Sequence, residues 1–71
     1  MKRSELIRRI ATSARRHGLT WEFVREGGDH EIWELDGQRV TIPRHREVGE
    51  LTSGRILRDL EPRFGKRWWQ P

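Results

Sequence analysis

The chain is predicted to be an α+β protein: a two-layer α-β-β-β-α unit whose three-stranded antiparallel sheet carries both helices on one face. Three observations predict it. Apolar residues recur at helical spacing within the first sixteen residues. Three short runs rich in aromatic and β-branched residues follow, separated by Gly-Gly-Asp and Asp-Gly. A second apolar stripe at helical spacing lies beyond Pro43.

The first helix is expected over about Ser4 to Arg16. Ser4 is read as its N-cap, with Glu5 in the first turn, where the helix dipole favours an acid. Leu6, Ile7, Ile10 and Ala14 fall on one face, with Ala11 at the margin and Arg8, Arg9, Arg15 and Arg16 on the other. His17-Gly18 supplies the stop. Trp21 to Arg25 reads as the first strand and Glu26-Gly27-Gly28-Asp29 as a turn. His30 to Leu35 is the second strand. Its inward face is ambiguous, because Ile32, Trp33 and Leu35 cannot all share one side. Asp36-Gly37 is a two-residue hairpin signal, and Gln38 to Ile42 forms the third strand, closed by Pro43. In the second helix Thr52 or Ser53 is the expected cap, and Ile56, Leu57 and Leu60 form the buried stripe. Pro62 ends it, since the residue before a proline avoids the helical region.

Seventy-one residues make one domain at most, and a chain of this size buries only about 60% of its unfolded surface. Four Trp and two Phe concentrate the apolar content. With no cysteine, neither disulfides nor thiolate zinc sites brace the fold. Scattered histidines without paired carboxylates give no expectation of a metal site. P-loop, dinucleotide and Ser-His-Asp motifs are absent too, so no cofactor is expected. No run has the length of a membrane helix, and the N-terminus lacks the apolar stretch of a signal peptide; the expectation is a soluble, cytoplasmic protein. The net charge of +4 is segregated: residues 1–18 carry +5, residues 19–37 carry −5, and residues 38–48 and 49–71 carry +2 each. Basic elements flanking an acidic hairpin restrict a polyanion site to the first helix, the third strand and the C-terminal half.

His30, just past Gly27-Gly28, is the sharpest chemical candidate. The glycines permit positive φ and leave the imidazole open to a close-approaching strand. A histidine exchanges protons near neutral pH, and RNA carries its own nucleophile in the 2′-OH. Read from residues alone, His30 is either an acid–base group or a water-facing turn residue. Arg44, His45 and Arg46 are candidates for holding phosphates, or form a solvated loop; His45 is also a weaker candidate for a second acid–base group. Arg8 and Arg9, with Arg15 and Arg16, either track a phosphate backbone or meet an acidic partner. Trp68-Trp69 can stack on bases, with a clamp over the thin core the simpler role. His17, at a helix end, has a structural role.

Taken in order, Glu5-Leu6-Ile7, Gly18, Trp21, Val24-Arg25, His30-Glu31-Ile32-Trp33, Val40-Thr41-Ile42-Pro43-Arg44-His45, Glu50-Leu51 and Gly54-Arg55-Ile56-Leu57-Arg58-Asp59-Leu60 resemble the HicA family of bacterial toxins. These are small mRNA interferases with a fold like that of double-stranded-RNA-binding domains. The resemblance covers residues 2–60. It implies that His30 is the catalytic histidine; Gly28, which lets an RNA strand approach closely, is a candidate RNA-site residue on its own chemistry. The resemblance also implies ribosome-independent RNA cleavage and a HicB-type antitoxin that covers the site. The sequence departs from the family at Asp29, where serine is frequent, and in the residues beyond Leu60. The expected organisation is therefore a catalytic domain over residues 1–62 and a C-terminal extension over residues 63–71. Two competing readings are a non-catalytic RNA-binding module and a protein-interaction domain built on the basic helix and Trp68-Trp69.

Overall fold

Leu6, Ile10 and Ala14 recur every fourth residue, and all three are buried. Their helix, α1, runs Arg3–Arg16 and is followed by β1 (Trp21–Gly27), β2 (His30–Leu35), β3 (Gln38–Pro43), α2 (Glu50–Asp59) and a short α3 (Glu61–Phe64). This computed structural model describes residues 1–70; Pro71, the last residue of the expected extension, lies outside them. The sheet is antiparallel in the order β1-β2-β3. One core joins the buried residues of α1 with Leu35, Val40 and Ile42 of the sheet, Val48, and Ile56, Leu57, Leu60 and Phe64. The predicted α+β, α-β-β-β-α architecture is the one observed, with α3 added.

Strand register settles the ambiguity in β2. Cross-strand partners share a face. Trp21 pairs with Leu35, Phe23 with Trp33, and Trp33 with Val40, which places these residues on the helix side. His30 pairs with Gly27 and Pro43, and Ile32 with Arg25 and Thr41, so these occupy the opposite, open face. A bulge between Phe23 and Arg25 accommodates Val24, and both Phe23 and Val24 are exposed. Trp21 stacks on Trp33 with centroids 4.8 Å apart, and Phe23 meets the same ring edge-on at 5.7 Å.

The helix starts differ from expectation. Lys2, not Ser4, is the N-cap of α1, and no side chain caps it. The chain itself substitutes: the Arg3 amide donates to the Arg46 carbonyl at 2.9 Å, and the Val48 amide donates to the Met1 carbonyl at 2.9 Å. In α2 the N-cap is Gly49 rather than Thr52 or Ser53. Ser53 is buried inside the helix, and its hydroxyl donates back to the Glu50 carbonyl at 3.3 Å. α2 closes at its C-cap, Leu60, and Pro62, expected to end it, instead opens α3. A proline lacks only an amide that the first helical turn leaves unpaired in any case.

Arg3 connects these parts. Its Nε donates to the Pro43 carbonyl at 2.9 Å, and its guanidinium pairs with Glu31. It therefore fixes the end of β3 and the loop after it against α1. Both members of the pair are partly buried. Arg3→Ala is expected to cost about 1.5–3 kcal/mol, as for hydrogen bonds to charged groups, readable as a shifted urea midpoint. An unchanged midpoint would mean the loop is held by the backbone pairing of Met1 and Arg3 with Val48 and Arg46.

Candidate active site

The geometry around His30 begins with glycine. The β1–β2 turn contains only Gly28 and Asp29 between the paired residues Gly27 and His30. The expected four-residue turn is thus tighter, with Glu26 and Gly27 inside β1. Gly28 has φ +70, the sign required at the first central position of a two-residue hairpin of the II′ pattern. Nothing lies within 4 Å of where its Cβ would stand. A side chain here strains the backbone without clashing, and the space above the turn is open. The second hairpin has positive φ at both Asp36 and Gly37, the I′ pattern its sequence predicts.

His30 is exposed and opens onto a groove of about 580 Å³. One wall is β3, the edge strand that follows β2 in the sheet, through Arg39, Thr41 and Pro43; the other is α2, through Thr52, Arg55 and Asp59. Neither Arg39 nor Arg55 is in a salt bridge among the described residues. The groove therefore brings together an imidazole, two unneutralised guanidiniums, two hydroxyls and a carboxylate. Among the described residues no hydrogen bond or ion pair joins Asp29 to His30; the Asp29 carbonyl instead accepts from the Arg44 amide at 3.0 Å.

The other candidates separate. Arg44 lies beside the turn: it pairs with Glu26 at 2.9 Å and reaches toward the Gly28 carbonyl at 3.4 Å. It braces the turn that presents His30, and its charge is already balanced by a carboxylate. Such an exposed pair contributes about 0–1 kcal/mol, so the bond positions more than it stabilises. His45 and Arg46 are exposed on the following loop and do not line the groove. Arg8 and Arg9 lie in a different depression, with Trp68 and Trp69. His17 shares a hydrogen bond from Nδ1 with the Ser13 carbonyl at 2.8 Å and packs on Phe64 with centroids 5.2 Å apart, a structural role as expected.

Arg39, Thr41, Thr52, Arg55 and Asp59 were not singled out by the sequence as site residues. The alternation of β3 carried part of the signal, since Thr41 and Arg39 stand on the same side as the residues paired with β2's open face. The α2 residues carried none, because no local pattern says which strand a helix will flank. Among the described residues, no three His, Cys, Asp or Glu side chains come together as a metal site would require. Nor, among them, is any helix long and apolar enough to cross a membrane.

If phosphates sit in this groove, Arg39→Glu with Arg55→Glu should weaken RNA binding. The slope of log affinity against log salt should become shallower by about 1.4, since each single-strand phosphate neutralised contributes roughly 0.7. An unchanged slope in a filter-binding titration would put the RNA elsewhere.

The fold is that of a small α-β-β-β-α protein like a double-stranded-RNA-binding domain, with one open histidine above an arginine-flanked groove. Sequence comparison narrows this class. The family model for the HicA toxin of bacterial toxin–antitoxin systems matches residues 14–61, more than half of the chain, and the chain belongs to that family. No curated protein and no solved structure matches it.

Proposed function

We propose that this toxin is an mRNA interferase, an endoribonuclease that cuts RNA independently of the ribosome through His30 and without a metal ion. The observation that carries the reading is the exposed imidazole of His30 at a groove whose two walls supply the unneutralised Arg39 and Arg55. In the reaction the 2′-oxygen attacks the adjacent phosphorus and the bond to the 5′-oxygen breaks. His30 takes up the 2′-OH proton, and the leaving 5′-oxygen gains a proton from the imidazolium or from water. The guanidiniums oppose the charge that builds on the phosphoryl oxygens. His45, exposed on the loop after Pro43, is not among the residues that line this groove, so the reading rests on His30. Gly28, with no side chain, and Arg44, which holds the turn by its amide, keep the approach to His30 open and fixed.

The family pairs each toxin with an antitoxin. A HicB-type partner that covers the groove would silence the protein in the cytoplasm, where its mRNA substrates are.

The products test the chemistry. Cleavage should leave a 2′,3′-cyclic phosphate and a 5′-hydroxyl, detectable by mass spectrometry, and EDTA should not slow it. Cutting of an all-deoxy substrate, or strict dependence on added metal, would contradict 2′-OH attack. RNA that is bound and never cut would make the chain a binding module instead.

A further inference from the structure

Trp68 and Trp69 do not trail from the fold. The Trp68 indole N–H donates to the Leu57 carbonyl at 2.8 Å, and its ring meets Phe64 edge-on at 4.8 Å. Trp69 stands edge-on to Trp68 at 5.9 Å, and its carbonyl accepts from Arg9 Nη1 at 3.0 Å. These contacts tie Trp68 to α2 and Phe64, and Trp69 to α1. The two tryptophans enclose a depression of about 210 Å³ with Arg8, Arg9, Thr12, Ser13 and Arg16. It shares no residue with the His30 groove.

The chemistry of this depression is lopsided. Among the described residues its three arginines face one paired carboxylate, Glu5, and that is already held by Arg9 at 2.7 Å. Arg8 and Arg16 are exposed and have no salt-bridge partner among the described residues. They stand eight residues apart on one helix, about 12 Å along its axis. That is the rise of about three to four stacked nucleotides at roughly 3.4 Å each. Between them lie two hydroxyl-bearing residues and a partly exposed indole.

We propose that this depression is a second nucleic-acid subsite, which takes a single-stranded segment with phosphates on Arg8 and Arg16 and one base stacked on Trp69. Charge complementarity favours a polyanion, and the tryptophan beside the arginines selects one that also carries flat rings. Arg9 organises the subsite rather than filling it, since its guanidinium is occupied by Glu5 and the Trp69 carbonyl. The subsite rests on the reading of RNA as substrate and extends it: RNA longer than the groove gains a second attachment on the helical layer.

The test is binding of a 2′-O-methyl oligoribonucleotide, which cannot be cut, to His30→Ala protein. Arg8→Glu with Arg16→Glu should lower affinity at least tenfold and flatten the salt slope by about 1.4, from roughly 0.7 per neutralised phosphate. Trp69→Ala should weaken binding about 5- to 150-fold, the fold-change equivalent of losing one stacked base, while Trp69→Phe should restore most of it. Both arginines reach solvent, so their variants test the subsite even if Trp69→Ala perturbs the fold. Equal affinity and slope in the arginine variant would overturn the proposal. So would unaltered RNA binding accompanied by lost affinity for the purified antitoxin, which would assign the depression to a protein partner. Because the readout is binding by a protein already lacking His30, a wild type that fails to cleave would not change this result.

Discussion

His30→Ala is expected to abolish RNA cleavage and growth arrest while leaving the protein folded. A positioned acid–base group accounts for about 10²–10⁴ of rate, and among the described residues no other imidazole lines the groove to replace it. The cost to stability should be small, within about ±0.5 kcal/mol, as for surface substitutions away from special features. The ring is exposed and belongs to no part of the core. The turn that presents it is held by Gly28's backbone and by the Arg44 amide on the Asp29 carbonyl, neither of which the substitution touches. The measurement is the single-turnover cleavage rate of purified, folded protein, beside growth on induction. A folded His30→Ala protein that cuts and arrests growth as the wild type does would remove His30 from the mechanism.

His30 and Arg44 differ in how much of their role was legible in the sequence. Both stood out as candidates from local pattern, one as a histidine after glycines and the other as a cation after a strand-ending proline. What distinguishes them is pairing, which sequence does not display. The β1–β2 register brings Glu26 within reach of Arg44 across the turn, so the cation expected to hold phosphate is also paired with a carboxylate. The order of elements was legible because hydrophobic periodicity and turn chemistry are local properties. The helix starts were not. Lys2 and Gly49 need no capping side chain, and in α1 the partner of the first amide is the carbonyl of Arg46, distant in sequence. The groove was legible only on its His30 side; its α2 wall depends on how a helix docks beside an edge strand. The basic residues, which sequence groups by sign alone, are divided by the fold between two separate depressions.

The second large effect belongs to the tail. The family match ends at residue 61, yet Phe64 is buried at 6% exposure. Trp68 and Trp69 pack against the same core as partly buried residues. Arg63 adds an ion pair to Asp36 at the β2–β3 turn, and Glu61 accepts from the Arg67 amide at 2.9 Å. Deleting residues 65–71 keeps Arg63 and Phe64 but strips the two indoles that pack beside Phe64 and Leu57. Full burial of a large side chain contributes roughly 1.5–3 kcal/mol, so two partly buried tryptophans and the Trp68–Leu57 hydrogen bond amount to about 2–4 kcal/mol. A small domain holds only about 0.05–0.15 kcal/mol per residue in total, which makes this a large share of the whole. At about 4–8 °C per kcal/mol for a domain of this size, Tm should fall by roughly 8–30 °C. Cleavage should respond differently: in the cold, where the truncated chain still folds, kcat should persist while KM for long RNA rises. That division follows from geometry, since neither tryptophan lines the His30 groove. Calorimetry and saturation kinetics on the same preparation check both halves. A truncated protein that melts with the wild type would deny the tail its place in the core. A folded one whose kcat collapses at saturating RNA would place the tryptophans at the reacting phosphate, against the separation of the two depressions.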